Sequence, residues 1–476
     1  MLCIIDTHWA RGSLKLFKHQ TNTGAPVSKR HFAEITEKFN TVVSERVATQ
    51  LGHKSGFTKR LRDITPHRLA LTLIAAMAAG SVETIADLQR KFSELTGTDV
   101  SYKPFHNQLS KPEFADFMAA MLSHAMQALA LTVLRPQPGS PLAHFDEILL
   151  QDGSSFALKD ALAERFPGRF SQHSPAAVEL HATMGVLQDQ FVRVRLAADT
   201  QGERDFLPDA ALLRRILLIA DRGYEAHKYF QEVDAAGGFF VVRCKANANP
   251  VVAQCWLDDG RVRQFAGKRL ASFRSKLAGA NADLLVRQKT SNGEFVYRMC
   301  LIWNPEHKSH MVLATNLDAA DFSVTLVRRV YAVRWQIELA FKEWKSYSNL
   351  HKFNTAKAPI AQGLIWASLA AALIKRYLVP QKDGTCAEID CANRVGHPIE
   401  LATAHPAWLK SFLTVSGADA SQPNFCPNTG TPAKVVQYCF KYTGQVKKIG
   451  PDLDELVIDQ CTPDVGLVKT LTAGKN

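Results

Sequence analysis

The sequence predicts an α/β protein whose core is interrupted by an inserted β subdomain and preceded by a helical N-terminal region. Three observations support this fold class. Apolar residues recur at helical spacing up to about residue 131, short apolar strands alternate with helices over residues 148–243, and strand patterns return over residues 283–315. A chain of 476 residues is long enough for several structural units.

The first predicted elements are helices. Thr65 is a good N-cap with Pro66 at the first helical position, and a second helical pattern stops at Gly97. A third short helix over residues 101–109 gives an arrangement similar to a helix-turn-helix, whose last helix can enter a DNA groove. We expect residues 1–140 to form a helical, DNA-binding N-terminal region, although a plain helical bundle explains the same pattern equally well.

The pattern then changes to strands, two of which are followed by an aspartate. Asp152 comes directly after a short apolar strand, and Asp221 comes directly after a buried strand. The expected elements are strands over 148–151, 178–187 and 191–198, a helix over 205–214, a strand over 216–220, a helix over 225–235 and a strand over 239–243. This is the element order of a ribonuclease-H-like fold, and open sheets of this kind bind ligands at strand ends.

The residues between the last of these strands and the next long helix are too many for a simple connection. They contain strand patterns, two of which are joined by the turn Ser291-Asn292-Gly293. We therefore expect an inserted β subdomain that interrupts the ribonuclease-H-like core, and a loop-rich region after the core. The expected boundaries are 141–250 and 316–380 for the two parts of the core, 251–315 for the inserted subdomain and 381–476 for the C-terminal region.

Composition narrows the function classes. The 57 Lys and Arg residues exceed the 45 Asp and Glu residues, and the resulting charge of +12 suits a polyanionic partner without identifying nucleic acid. The most apolar stretch, residues 360–379, contains Lys375 and Arg376 and is expected to be a buried helix rather than a membrane span. Nine cysteines without a C-x2-C pair argue against a disulfide framework or a zinc site, so a reduced, cytoplasmic setting is expected.

The last predicted helix carries four polar residues at a regular spacing. On a continuous helix these residues fall within an arc of about 60°. They are Tyr331, Arg334, Glu338 and Lys345. A solvated face of mixed charge usually explains such spacing, so partners elsewhere in the chain must decide its meaning.

Asp152 and Asp221 are such partners for Glu338. Hard carboxylate oxygens that converge at one sheet edge suit Mg²⁺ or Mn²⁺. Two ions of this kind can activate an attacking oxygen and stabilise a leaving one in phosphoryl transfer. Taken singly, each acidic residue is more often a turn former or a helix cap, so the indication lies in the combination.

Together, these motifs resemble those of the DDE transposases of bacterial insertion sequences, specifically the insertion-sequence-4 family. That family has a Y-x2-R-x3-E-x6-K signature, which the four residues of the last helix match without exception. Its first two aspartates begin segments of the type D-G/T-S/T and D-R-G-Y/F. The matching segments here are Asp152-Gly153-Ser154-Ser155-Phe156 and Asp221-Arg222-Gly223-Tyr224.

The resemblance implies a DNA transposase that cleaves the ends of an insertion sequence and joins them to target DNA by cut-and-paste transposition. It also implies two metal ions in each active site, Mg²⁺ or Mn²⁺. The implied catalytic and metal-binding residues are Asp152, Asp221 and Glu338. The implied DNA-binding residues are Tyr331, Arg334 and Lys345, with Arg243 and Lys245 as further basic positions.

The same resemblance implies the partners. A homodimer would hold double-stranded DNA with terminal inverted repeats together with target DNA, at the nucleoid of a bacterial cytoplasm. No membrane is expected, and no nucleotide cofactor is needed because transesterification conserves phosphodiester bonds and no phosphate-binding loop is present in the sequence. Related enzymes use a tryptophan of the inserted region to hold a flipped base. Met311 aligns there with Trp303 nearby, so this step stays open.

Other functions fit parts of the pattern. A metal-dependent nuclease would cut DNA without joining it, and an inactive relic would retain DNA binding alone. A tyrosine recombinase would use Tyr331 as its nucleophile, but no Arg-His-Arg set of convincing spacing accompanies that residue.

Overall fold

The computed structural model describes residues 41–79, 82–129, 133–136, 140–188, 190–257, 260–347, 354–378 and 456–459. The predicted C-terminal region lies outside these ranges except for residues 456–459. The first 40 residues of the predicted N-terminal region also lie outside them. No helix in the described part of the chain is long and apolar enough to cross a membrane.

A nine-stranded mixed sheet is the centre of the described structure, with the order β4-β3-β2-β5-β6-β10-β9-β8-β7. Its strands are β2 (Glu147–Ala157), β3 (Ala177–Gly185), β4 (Gln190–Ala198), β5 (Ile216–Ala220), β6 (Phe239–Arg243), β7 (Val251–Leu257), β8 (Ala282–Thr290), β9 (Gly293–Asn304) and β10 (Ser309–Thr315). A separate pair joins β1 (Val133–Pro136) to β11 (Leu456–Asp459). The strands predicted over residues 148–243 are thus confirmed.

Two elements in this half of the sheet differ from the prediction. Strand β2 does not end before Asp152 but continues to Ala157, because it pairs with β3 along that whole length. The helix predicted over residues 205–214 is wrong, since only two short 3₁₀ turns form there, Glu203–Phe206 and Ala210–Leu212. Pro208 explains the break: a proline disfavours helical backbone in the residue before it, and Leu207 is extended with ψ 144°.

The strands predicted over residues 283–315 are confirmed, but they do not form a sheet of their own. Strand β10 pairs antiparallel with β6, so β10, β9, β8 and β7 continue the same sheet outward. We call these four strands the extension. The predicted inserted subdomain therefore has no separate sheet, because the free edge of β6 offers unpaired backbone groups that β10 satisfies.

The helices cover the sheet and one another. They are α1 (Glu45–Lys54), α2 (Pro66–Ala79), α3 (Ile85–Thr96), α4 (Tyr102–Leu109), α5 (Pro112–Ala128), α6 (His227–Ala235), α7 (Val324–Ala332), α8 (Trp335–Tyr347) and α9 (Ala358–Leu378). The helix α3 begins with a capping box, in which Asp87 N donates to Thr84 Oγ1 at 3.1 Å and Thr84 N donates to Asp87 Oδ2 at 2.8 Å. The helices predicted over residues 65–109 are therefore confirmed.

The helix α9 joins the N-terminal helices to the rest of the molecule. It packs against α2 and α5, and its residues share one hydrophobic core with those helices and with one face of the sheet. A Cβ on Gly363 would lie 2.2 Å from Cε1 of Phe114, so α9 and α5 approach closely. The prediction of a buried helix over residues 360–379 is confirmed as far as its described side chains extend.

The predicted single helix through Tyr331 and Lys345 is wrong in one respect. Helix α7 ends at Ala332 and α8 begins at Trp335. Around this junction the backbone forms tighter bonds, with Arg334 N donating to Tyr331 O at 3.1 Å and Ile337 N donating to Arg334 O at 3.2 Å. Such i to i+3 bonds turn the chain more steeply than an α-helix does, so the 60° arc of a continuous helix does not apply.

Candidate active site

The register of the sheet brings the two aspartates together. Strands β2 and β5 are parallel, and their last paired residues are Gln151 and Ala220. Asp152 and Asp221 follow this pair directly, so they lie side by side where the parallel pairing ends. Asp152 is also held locally, because its Oδ1 accepts a hydrogen bond from the backbone N of Gly153 at 2.9 Å.

The α7–α8 junction brings Glu338 to the same place through Arg334. The guanidinium of Arg334 donates to Oδ2 of Asp152 at 2.7 Å and also to Oε1 of Glu338. The hydroxyl of Tyr331 donates to Oδ1 of Asp221 at 3.0 Å. Arg334 Cζ lies 5.6 Å from the centre of the Tyr331 ring, so two residues of the same signature hold the three predicted carboxylates in one group.

Burial shapes the charges of this group. Burial raises the pKa of Asp152 to about 7, against the opposing effect of the Arg334 guanidinium, while Glu338 and Asp221 raise it further. Burial alone would lower the pKa of Arg334, but Tyr331 and the three carboxylates outweigh it and raise that pKa. Burial also raises the pKa of Tyr331, which therefore acts as a neutral hydrogen-bond donor.

The other predicted DNA-binding residues surround this group at different distances. Lys345 Nζ donates to the backbone O of Ser155 at 2.8 Å, and burial lowers the pKa of Lys345. Arg243 NH1 lies 3.7 Å from Oδ1 of Asp221, with its side chain partly exposed. Lys245 is exposed, and its backbone N donates to Oε2 of Glu225 at 2.8 Å. Arg243 and Lys245 are thus open to solvent, whereas Arg334 is bound to carboxylates.

A family model for the transposase DDE domain matches residues 143–374, which include all three acidic residues of this group. The chain contains a transposase DDE domain. The matched residues run from just before β2 to the middle of α9, and a DDE domain has a ribonuclease-H-like core. The β2–β6 half of the sheet is that core.

Curated relatives agree with this match at low identity. The chain is 20% identical over 283 residues to the transposase for insertion sequence element IS1151 of Clostridium perfringens, which covers 52% of this chain and 60% of the relative. It is 20% identical over 365 residues to the transposase for IS231B of Bacillus thuringiensis subsp. berliner, covering 68% and 75%. A segment of 79 residues is 38% identical to the putative transposase InsL for IS186A of Escherichia coli strain K12, covering 16% and 21%.

Enzymes of this class use divalent metal ions, and the carboxylates of the transposase fit that requirement in chemistry. Asp152 and Glu338 already share one cationic group, the guanidinium of Arg334, and carboxylate oxygens are the donors that Mg²⁺ prefers. Within the described ranges, no group of three or more His, Cys, Asp or Glu side chains has the arrangement needed to hold a metal ion. A metal ion at this position therefore requires Arg334 to release at least one carboxylate oxygen.

The sequence patterns missed a buried network on the other face of β2. Tyr224 is 1% exposed, and its hydroxyl lies 3.2 Å from Nδ1 of His181 and 3.5 Å from Nε2 of Gln151. His181 stacks on Phe206 with ring centroids 3.7 Å apart. The network fixes the turn that follows Asp221 against the strand that carries Asp152. Alternation along β2 offered a signal, because Gln151 is a polar residue within an apolar strand.

An exposed tryptophan beside the carboxylate group was also missed. Trp335 begins α8 directly after Arg334 and is 53% exposed. An exposed indole offers a stacking surface for a nucleic acid base. The two residues considered from the sequence lie elsewhere, on β9 and β10, where the Trp303 ring packs against His310 with centroids 4.9 Å apart. A large apolar residue on a polar helix face was the signal in the sequence.

Proposed function

We propose that this transposase cleaves the ends of an insertion sequence and joins them to target DNA by metal-dependent phosphoryl transfer, as in cut-and-paste transposition. One observation carries the proposal: at the end of the β2–β5 pairing, Arg334 bonds to both Asp152 and Glu338, and Tyr331 beside it bonds to Asp221. The similar proteins are transposases for insertion sequence elements, which supports the same substrate.

In this proposal the three carboxylates hold two Mg²⁺ ions, for which Mn²⁺ can substitute. Bound ions supply the Lewis acid chemistry that an in-line displacement at phosphorus needs. The chain itself gathers the carboxylates, excludes bulk water from Asp152 by burial, and supplies a neutral phenol at Asp221. Asp152 must be ionised to bind an ion, and a nearby divalent charge favours that form despite burial.

Arg334 would then exchange one partner for another. A guanidinium binds carboxylate and phosphate with the same two-pronged geometry, so a DNA phosphate can replace the Asp152 and Glu338 oxygens at its N–H groups. Tyr331, Lys345, Arg243 and Lys245 would contact neighbouring phosphates. This exchange would couple the arrival of DNA to the release of carboxylate oxygens for metal ions.

We assign the chain, within the same proposal, to the insertion-sequence-4 family on its Y-x2-R-x3-E-x6-K spacing. We also propose that the helices before residue 140 bind DNA and that a homodimer pairs two element ends. The domain boundaries predicted from the sequence are part of the same proposal. Because α9 packs closely on α2 and α5, the N-terminal helices share a hydrophobic core with the sheet that carries the carboxylates.

The test is an assay with a labelled DNA fragment that carries the inverted repeats flanking the gene. Purified protein and Mg²⁺ should yield nicked 3′ ends and then products joined to a target plasmid. Glu338→Gln should abolish both reactions while fragment binding persists. Cleavage without joining would make the protein a nuclease, and binding without cleavage would make it a relic.

A further inference from the structure

The outer edge of the extension carries the most basic stretch of the described chain. Residues 260–276 contain six Lys and Arg residues and no Asp or Glu. The six are Arg261, Arg263, Lys268, Arg269, Arg274 and Lys276. We propose that this basic segment binds the duplex of the element end at a second place, through Arg263 and Lys276, about eight base pairs from the phosphate in the active site. This inference rests on the proposed function.

The segment is held firmly against β7. Leu257 N donates to Arg261 O at 2.9 Å and Arg263 N donates to Cys255 O at 2.8 Å, so the segment continues the hydrogen bonding of the sheet edge. Phe265 and Phe273, both within the segment, stack with ring centroids 4.0 Å apart and hold its two halves together. A surface that is already ordered loses little conformational entropy when it binds a partner.

Two of the six basic residues, Arg269 and Arg274, help to anchor the segment. Two others, Arg263 and Lys276, face the solvent at the end of the sheet that holds the active site. Arg269 donates to Asn249 O at 3.2 Å, and Arg274 donates to His310 O at 3.0 Å. Arg263 and Lys276 are exposed, and within the described ranges neither is in an ion pair with a carboxylate. Their charge is therefore available to a phosphate backbone.

The strand register places this segment in line with the catalytic group. Asp221 and Arg243 follow the paired residues Ala220 and Val242 of β5 and β6. From Arg243 one row of paired residues runs outward across the extension. The row is Arg243, Leu313, Cys300, Asp283, Trp256 and finally Val262, which is 67% exposed beside Arg263.

The length of this row sets the spacing on DNA. Six steps between neighbouring strands at about 4.8 Å give about 29 Å from Asp221 to Val262, an upper value because the sheet twists. Duplex DNA rises about 3.4 Å per base pair, so this distance spans about eight base pairs. Arg243, one step from Asp221 on this row, and Lys245, two residues further along the chain, add positive charge at the start of this path.

The partner is the element end rather than any other polyanion, because the row begins at the carboxylates that would cut that end. The test compares Arg263→Gln/Lys276→Gln with Arg214→Gln/Lys289→Gln. The control pair removes the same charge from exposed residues at the opposite end of the sheet, before β5 and beside the β8–β9 turn. Both variants should keep the wild-type circular dichroism spectrum and melting temperature.

The expected result is a local change in how the protein covers the DNA. Hydroxyl-radical footprinting of the bound end should show weaker protection about seven to ten base pairs from the cleaved phosphate in the Arg263/Lys276 variant only. Its log–log salt dependence of binding should become shallower by about 1.8, or about 0.9 for each phosphate that the variant no longer neutralises. Cleavage at subsaturating protein should fall in proportion to binding of the element end, and the control variant should not show this fall.

Two results would overturn the inference. If the footprint and salt slope match those of the control variant, the basic segment does not hold the element end. If end binding is normal and only joining to target DNA falls, the duplex held there is the target. Failure of the wild-type protein to bind or cleave the fragment would instead count against the proposed function.

Discussion

Strand β2 carries two carboxylates with the same raised pKa and quite different surroundings. Burial raises the pKa of Glu147, at the start of the strand, to about 7, and it does the same for Asp152 five residues later. Glu147 Oε1 accepts hydrogen bonds from the backbone N of Ile148 at 2.9 Å and of Leu187 at 2.8 Å. Asp152 instead faces Arg334, Glu338 and Asp221.

The difference shows that a raised pKa alone does not identify a catalytic acid. Backbone donors at Glu147 are fixed and cannot be replaced by a ligand, so this carboxylate organises the β3–β4 turn. The cation at Asp152 belongs to a side chain that can move, and a second carboxylate, Glu338, shares it. What indicates a site is a set of partners that a metal ion or phosphate can replace.

The largest expected difference between the two residues is in activity. Asp152→Asn should reduce strand cleavage about a thousandfold or more, because an amide cannot serve as an anionic metal ligand. Glu147→Gln should leave the cleavage rate within about threefold of wild type. Single-turnover cleavage of the labelled end measures both, and a similar loss in the two variants would contradict the assignment of Asp152 to the active site.

The pH dependence of the free energy of unfolding should reveal the raised pKa of Glu147. Because its folded-state pKa is raised from 4.5 to about 7, Glu147 contributes stability that is complete below pH 4.5 and is lost as the pH rises through 7. Glu147→Gln removes this loss, which amounts to about 3 kcal/mol. Urea unfolding in EDTA at pH 5 and pH 8 should therefore show a smaller pH effect in the variant. An unchanged pH effect would mean that Glu147 titrates near its ordinary pKa.

Removal of the Arg334 guanidinium should leave Asp152, like Glu147, as a buried carboxylate without a cationic partner. Arg334→Gln leaves Asp152 and Glu338 facing each other without a positive charge and should lower the free energy of unfolding by about 2 kcal/mol at pH 8. The loss should be smaller at pH 5, where Asp152 can accept a proton. Arg334→Lys, which keeps the charge but not the fork of N–H groups, is the matched control. Equal stability of the two variants at both pH values would exclude a charge effect.

The smallest effect is expected on the other face of the strand. Tyr224→Phe and Tyr229→Phe each remove one hydrogen-bonded hydroxyl, and each should cost about 1 kcal/mol of stability. Only Tyr224→Phe should raise the Mn²⁺ concentration needed for half-maximal cleavage, because Tyr224 holds the turn after Asp221 against β2. The Tyr229 hydroxyl donates to Pro208 O at 2.7 Å, away from that turn. Identical metal dependence in both variants would make Tyr224 a purely structural residue.

Local sequence patterns predicted the elements that depend on local physics. The strand of residues 216–220 was predicted with its observed bounds because five apolar residues in a row end at an aspartate. The motifs around Asp152, Asp221 and Glu338 were found because each motif is a short run of residues that can be read directly from the sequence. The helix over 205–214 was wrong because the pattern of apolar residues outweighed Pro208, which alone decides against a helix there.

Long-range pairing could not be predicted in the same way. Nothing in the local sequence indicates that β10 pairs with β6, since any strand with apolar residues could pair with that edge. This one pairing joins the whole extension to the rest of the sheet. The bonds of Arg334 to Asp152 and Glu338 join residues 182 and 4 positions apart. The first of these depends on how the α7–α8 junction lies over β2, which is a property of packing.

The close approach of Gly363 to Phe114 has a consequence for synthesis of the chain. Helices α2 and α5 bury their apolar faces against α9, which begins at Ala358. During translation these early helices must wait for more than two hundred residues before the helix that covers them leaves the ribosome. A chain that stops before α9 would expose those faces, so an incomplete product of the gene would be a substrate for proteases rather than a DNA-binding competitor of the complete enzyme.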